Sequence, residues 1–107
     1  MSDYSDMTIY ADKIVEEPFY GVNCKVNYFE CFAEKDLERY CDILKDKNYK
    51  LAWITKHDVI LMDKTNRRDI CVLKCRFKVD IKIVHKYYEL PFYRDDNPFK
   101  RPLFFDI

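Results

Sequence analysis

Apolar and charged residues alternate without interruption between Leu73 and Ile83. Successive side chains of a β-strand point to opposite faces of a sheet, so the pattern predicts a long strand that begins at Ile70. Its apolar face is expected to lie in the core, and its basic face is expected to remain in water or to meet a partner. The apolar positions are Leu73, Cys75, Phe77, Val79, Ile81 and Ile83, and the charged positions are Lys74, Arg76, Lys78, Asp80 and Lys82.

Four further segments have the β-branched residues, aromatic residues or alternation that are typical of strands. The first is interpreted as an edge strand that Glu16-Glu17-Pro18 interrupts, because proline cannot donate to a ladder. Short polar connections between the later segments favour antiparallel hairpins. The long strand is expected to bend near Val84, and a short sixth strand could follow toward Pro91. The four segments are Thr8–Val15, Val22–Phe32, Tyr49–Thr55 and Val59–Lys64.

The hydrophobic period changes between Glu34 and Lys47, where apolar residues recur every three or four positions. Leu37, Tyr40, Cys41 and Leu44 fall on one stripe, which predicts an amphipathic helix that packs on one face of a sheet. Asn48 is expected to supply the left-handed residue that closes it. The predicted fold class is therefore α+β, with a single antiparallel sheet of five to six strands in the order β-β-α-β-β-β.

Length and composition favour one domain over residues 1–107. The chain has 107 residues, 49% of them hydrophobic, which is enough for one core and too few for two. Residues 1–6 are predicted to be disordered, and residues 90–107 to form an extended tail rich in proline and aromatic residues. An exposed tail with Phe104 and Phe105 would leave an apolar patch, so it is expected to fold back onto the core or to dock on another chain.

Charge is balanced overall but divided along the chain. Residues 1–48 carry 11 acidic and 6 basic side chains, whereas residues 49–107 carry 8 acidic and 13 basic ones. The halves therefore differ in sign, at −5 and +5, which either cancels across the sheet or leaves an acidic side and a basic side. Five cysteines without a Cys-x-x-Cys spacing fit a reducing compartment, so an intracellular, cytoplasmic protein without a membrane span is expected.

The basic face of the long strand is the predicted binding site. Lys74, Arg76 and Lys78 would form a cationic row that Lys82 and Lys86 extend, with Arg67 and Arg68 in the preceding turn. Such a row could meet an acidic protein surface or follow a phosphate backbone. It could equally be a solvated face whose lysines prevent unwanted strand pairing. Phe104 and Phe105 complete the predicted contact residues.

The sequence indicates neither catalysis nor a cofactor. One glycine excludes the glycine-rich loops that cradle phosphates, and the adjacent carboxylates of Glu16-Glu17 and Asp95-Asp96 would point apart on an extended chain. His57 falls in a predicted turn. A zinc site built from Cys71, Cys75 and His85 is a minor alternative. No catalytic residue, cofactor or metal is therefore predicted.

Two functional hypotheses follow. The first is a small interaction module that binds and inhibits another protein through the basic strand face and the aromatic tail. The amino-acid composition is like that of proteins from AT-rich genomes, which suggests a viral or phage accessory protein acting on a host protein. The alternative is a nucleic-acid-binding protein that uses the same cations for phosphate contacts. Self-association into a homodimer is compatible with either hypothesis.

Overall fold

The described part of the chain folds into one five-stranded sheet with two helices. The computed structural model describes residues 11–19 and 21–88. The strands lie in the spatial order β1-β2-β5-β4-β3, with β2 parallel to β5 and the other neighbours antiparallel. The α+β class is confirmed, whereas the expectation of a purely antiparallel sheet is wrong. The elements are β1 (Lys13–Phe19), β2 (Val22–Cys31), α1 (Glu34–Asp46), β3 (Tyr49–Ile54), β4 (Asp58–Asp63), β5 (Asp69–Cys75) and α2 (Ile81–His85).

The mixed sheet arises from the path of the chain after β2. Helix α1 carries the chain across the sheet to the outer position of β3, and two hairpins then return it through β4 to β5 beside β2. Strand β5 is consequently central. Its run Ile70-Cys71-Val72-Leu73 is buried at every position, as is typical of a strand covered on both faces.

Helix α1 and its packing agree with the sequence. It spans Glu34–Asp46, and Leu37, Cys41 and Leu44 are fully buried against the sheet. They form one core cluster with Leu73 and Cys75 of β5, which were expected to point inward. Both α1 and α2 contribute side chains to this cluster, so we call this side of the sheet the helix face.

The predicted strand between Ile70 and Ile83 is half as long in the structure, where β5 ends at Cys75. Beyond it the chain leaves the ladder and crosses the turn between β3 and β4, where Val79 N donates to Lys56 O at 2.7 Å. Asp80 then begins α2 by accepting a hydrogen bond from Lys82 N at 2.9 Å. The alternation in burial continues although these residues do not form a strand. Val79 and Ile83 are both buried in the core.

Strand β1 lies later in the sequence than expected. It spans Lys13–Phe19 and continues through Pro18, which a strand with one neighbour tolerates because half of its backbone donors have no ladder partner. The predicted start at Thr8 lies outside the described residues. So do residues 1–6, most of the predicted sixth strand and the tail at 90–107. His85 to Tyr88 form helix and turn.

The opposite side of the sheet, which we call the second face, is also apolar. Tyr28 and Trp53 pack at the border of its cluster. Strand β5 presents Ile70 and Val72 here, and Lys74 follows them at one end. Neither helix of the described chain is long and apolar enough to span a membrane. The buried members are Phe19, Cys24, Val26, Ile60, Ile70 and Val72.

Candidate binding site

The predicted cationic row is not formed, because the strand that would have aligned it ends too early. Of the five residues in that row, only Lys74 lies on a strand. Arg76 and Lys78 lie in the loop after β5, Lys82 lies in α2, and Lys86 follows that helix. The five cations therefore do not share one strand face.

Carboxylates of the same molecule already pair with three of these cations. Lys74 Nζ lies 3.6 Å from Asp58 Oδ1, and Arg76 Nε donates to Glu30 Oε1 at 3.0 Å. Lys86 Nζ lies 3.9 Å from a carboxylate oxygen of Glu38 on α1. Exposed pairs of this kind stabilise by about 1 kcal/mol or less, but they reduce the positive charge that a partner would meet.

The pairing at the strand end follows from the sheet register. Glu30 of β2 and Asp58 of β4 flank Lys74 of β5 on either side, so opposite charges stand next to each other across three strands. Arg76 also lies over the exposed ring of Phe32, at 5.3 Å from its centroid. At this end of the second face, acidic and basic side chains of the same molecule neutralise each other.

Arg67 and Arg68 occupy a different position, in the turn between β4 and β5. Asp63 shapes that turn by accepting hydrogen bonds from Thr65 N at 2.7 Å, Thr65 Oγ1 at 2.8 Å and Asn66 N at 3.2 Å. These donors lower the pKa of the Asp63 carboxyl group. Asn66 Oδ1 then accepts from Arg68 N at 3.0 Å, so side-chain acceptors fix the turn at both ends.

The backbone of the two arginines is also tied to the sheet. Lys25 N donates to Arg68 O at 2.7 Å, and the thiol of Cys24 lies 3.8 Å from Arg67 O. The backbone of both arginines is therefore held against β2. Both side chains are exposed.

An open hollow lies beside these arginines, and we call it the Arg67–Arg68 pocket. Its volume is about 360 Å³, which is within the range of small-molecule and side-chain sites. Three strands supply the apolar wall, and the turn supplies the two cations. The lining residues are Phe19, Val22, Cys24, Met62, Arg67 and Arg68.

Arg67 and Arg68 differ from the strand-end cations in having no counter-ion within the described part of the chain. Among residues 11–19 and 21–88, no carboxylate lies within ion-pair distance of either guanidinium group. A guanidinium can hold a carboxylate through two parallel hydrogen bonds, and the neighbouring apolar wall can take a hydrophobic side chain. The pocket thus suits a ligand that combines an acidic group with an apolar one.

A second, smaller hollow of about 190 Å³ lies on the helix face, near Asn27, Tyr49 and Cys71. The amide of Asn27 donates to Asp69 Oδ1 at 3.0 Å and to Ile70 O at 2.9 Å, and the Cys71 thiol lies 3.8 Å from it. Lys25 and Lys47 also line this hollow.

Burial and hydrogen bonding define the surroundings of two cysteines and one histidine. Burial raises the pKa of the Cys41 and Cys71 thiols to about 12, so both are protonated near neutral pH. His57 Nδ1 lies 3.0 Å from the carbonyl oxygen of Phe77, which can only accept, so this nitrogen carries the proton. In residues 11–19 and 21–88, no group of three or more His, Cys, Asp or Glu side chains is arranged to hold a metal ion.

Only part of the pocket can be predicted from the sequence. The sequence indicates Arg67 and Arg68 as neighbours of the basic row, but Phe19, Val22 and Met62 come from three strands whose order in the sheet it does not reveal. The remaining predicted contacts, Phe104 and Phe105, lie outside the described residues.

Comparison with known proteins adds no assignment. A scan against models of protein families, a search of curated proteins and a search of solved structures each found no match.

Proposed function

We propose that this chain is a binding module that recognises an acidic segment of another protein at the Arg67–Arg68 pocket. In this proposal an apolar side chain of the partner enters the hollow, while carboxylates beside it pair with the two guanidinium groups. The observation that carries the proposal is the fixed turn, which presents two arginines next to an open apolar wall, with no carboxylate partner for either among the described residues.

The arrangement has the features that give interfaces their affinity. Binding energy concentrates where an anchor fills a pocket and a charged group is paired and desolvated beside it. The turn is already ordered by Asp63 and Asn66, so little conformational entropy would be lost on binding. Inhibition of the partner and a viral or phage origin stay predictions.

The test uses short synthetic peptides in which one Phe, Leu or Trp is flanked by Asp and Glu. Binding of the peptides to the full chain is measured by fluorescence anisotropy. The double variant R67Q/R68Q should weaken binding by about tenfold or more, because each charged hydrogen bond contributes roughly 1.5–3 kcal/mol. The matched control is K78Q/K82Q, which removes two exposed cations elsewhere and should leave the affinity unchanged.

Two results would contradict the proposal. Equal losses in R67Q/R68Q and K78Q/K82Q would mean that only net charge attracts the peptides. A loss in K74Q/R76Q/K78Q without a loss in R67Q/R68Q would place the binding surface at the end of β5, as the sequence first suggested.

Nucleic-acid binding stays the alternative prediction, and the same variants address it. Retardation of single- or double-stranded DNA or RNA at low salt, falling steeply with added salt, would favour this class. It would also replace the acidic partner if the peptides fail to bind.

A further inference from the structure

Two cysteines lie side by side where the parallel pair of β2 and β5 ends. Cys31 is the last residue of β2, Cys75 is the last residue of β5, and the two are register partners. Both belong to the cluster on the helix face, so their side chains lie on the same side of the sheet. Cys31 is 0% exposed and Cys75 is 6% exposed. The two thiols are therefore neighbours at one end of the core.

The spacing of the two strands brings these cysteines within the range of a disulfide. Neighbouring strands lie about 4.8 Å apart, and the Cα atoms of bonded cysteines are usually about 4.4–6.8 Å apart. The Cys31 thiol is hydrogen-bonded to Cys75, and both cysteines are free thiols in the structure. Arg76 N also donates to Cys31 O at 2.9 Å, which holds the two backbones together at this point.

We propose that Cys31 and Cys75 are a reversible redox site, which hydrogen peroxide converts into a disulfide between β2 and β5. The Cys75 sulfur attacks one peroxide oxygen, the O–O bond breaks, and the products are a sulfenic acid at Cys75 and one water. The Cys31 sulfur then attacks the Cys75 sulfur, the S–O bond breaks, and a second water leaves. The two thiols thereby lose two electrons to the peroxide, and their two protons end in water.

The surroundings give the two thiols different roles in this reaction. The hydrogen bond to Cys75, burial, and the nearby carboxylates of Asp36 and Glu30 raise the pKa of the Cys31 thiol, so it stays protonated near neutral pH. The thiolate is the reactive form, so Cys31 is a poor first nucleophile. Cys75 retains some exposure at the end of its strand and reacts first.

The other three cysteines have no cysteine beside them in the sheet. Cys24 pairs with Glu17 of β1 and belongs to the cluster on the second face. Cys71 pairs with Asn27 and Leu61 of its two neighbouring strands. Cys41 lies on α1 and belongs to the same cluster as Cys31, so it is the competitor that a test must distinguish.

This redox site is separate from the proposed partner site. The Arg67–Arg68 pocket contains Val22 and Cys24 from the start of β2, and its two arginines precede β5. Cys31 and Cys75 end the same two strands. The loss of peptide binding in R67Q/R68Q and the formation of the disulfide can therefore succeed or fail independently.

The direct test treats the folded full chain with hydrogen peroxide and maps its peptides by mass spectrometry without reduction. We expect one link, between the peptides that contain Cys31 and Cys75, with a loss of about 2 Da from the intact chain. Dithiothreitol should reverse both changes. The variant C75S should lack this link, whereas the matched control C71A, on the same strand and face, should form it.

The result on the unsubstituted chain decides the proposal even if a variant does not fold. A link from Cys31 to Cys41, a link between two chains, or irreversible oxidation of Cys75 without a link would overturn it. So would thiols that do not react while circular dichroism shows the fold intact.

Thermal unfolding shows whether the disulfide fits the native structure. The link constrains the unfolded chain between residues 31 and 75, so the oxidised protein should have a Tm higher by about 10 °C than the reduced protein. Dithiothreitol should return the Tm to its starting value. A Tm of the oxidised protein at or below that of the reduced protein would contradict the proposed geometry.

Discussion

Asn48 illustrates how one residue sets a local conformation. It follows α1 with a φ of 76°, in the left-handed region that a side chain with a Cβ normally avoids. Replacing it with alanine should lower the free energy of unfolding by about 1 kcal/mol, while N48G should be neutral or stabilising. Urea denaturation measures both, and the exposed Lys45→Ala serves as the control. Equal stabilities of N48A and N48G would contradict this account.

At the residue scale, the sequence predicts features that depend on nearby residues in the chain. Asn48, the buried helix residues Leu37 and Leu44, and the inward Leu73 were all predicted correctly. The counter-ions of Lys74 and Arg76 were not predicted, because Glu30 and Asp58 reach them through strand pairing. Charge alone says nothing about which cations remain without an internal partner.

Helix α1 begins without a side-chain cap, which leaves room for stabilisation. Its N-cap is Ala33, whose extended backbone (φ −140°, ψ 163°) suits a capping residue but whose methyl group cannot accept a hydrogen bond. Asp36 compensates in part by accepting from Phe32 N and Ala33 N, each at 3.1 Å. Substituting serine for Ala33 should complete the reciprocal pair and raise the free energy of unfolding by about 1 kcal/mol.

The control for this prediction is Ala33→Val, which keeps an extended backbone without adding an acceptor. Thermal and urea denaturation of both variants should show a gain for A33S alone. A similar stability for the two variants would mean that Asp36 already satisfies this helix end.

The sequence does not correctly predict elements that depend on residues far away in the chain. The alternation from Leu73 to Ile83 reports burial correctly, but the backbone leaves the sheet at Cys75 because no strand continues beside it. Asp80 then caps α2 within a stretch that has the period of a strand. Period alone cannot distinguish a strand from a loop that lies on the core and buries every second side chain.

The whole molecule should lose stability at alkaline pH because its core holds several neutral acids. Burial raises the pKa of Cys41 and Cys71 to about 12 from an ordinary value of 9.0, and it also raises the pKa of Tyr88. The unfolded chain releases these protons first, so stability is fully present below pH 9 and falls between about pH 9 and 12.

Denaturation in the presence of a reducing agent measures this effect. Each thiol should lower the free energy of unfolding by up to about 1.4 kcal/mol per pH unit within that window. The variants C41A and C71A should show shallower slopes, whatever their stability at neutral pH. A stability that does not change from pH 8 to pH 11 would contradict the burial of neutral thiols.

The parallel pair of β2 and β5 at the centre of the sheet also limits the order in which the chain can fold. Lys25 pairs with Asp69 and Cys31 with Cys75, so every bond of this pair closes a loop of more than 40 residues. Local hairpins and α1 can form early. Strand β2 can pair with β5 only after the intervening residues, which are almost half of the chain, have been made and folded back. Nascent chains released before β5 is complete would expose the strand edge of β2, so association with other chains is the main risk during synthesis.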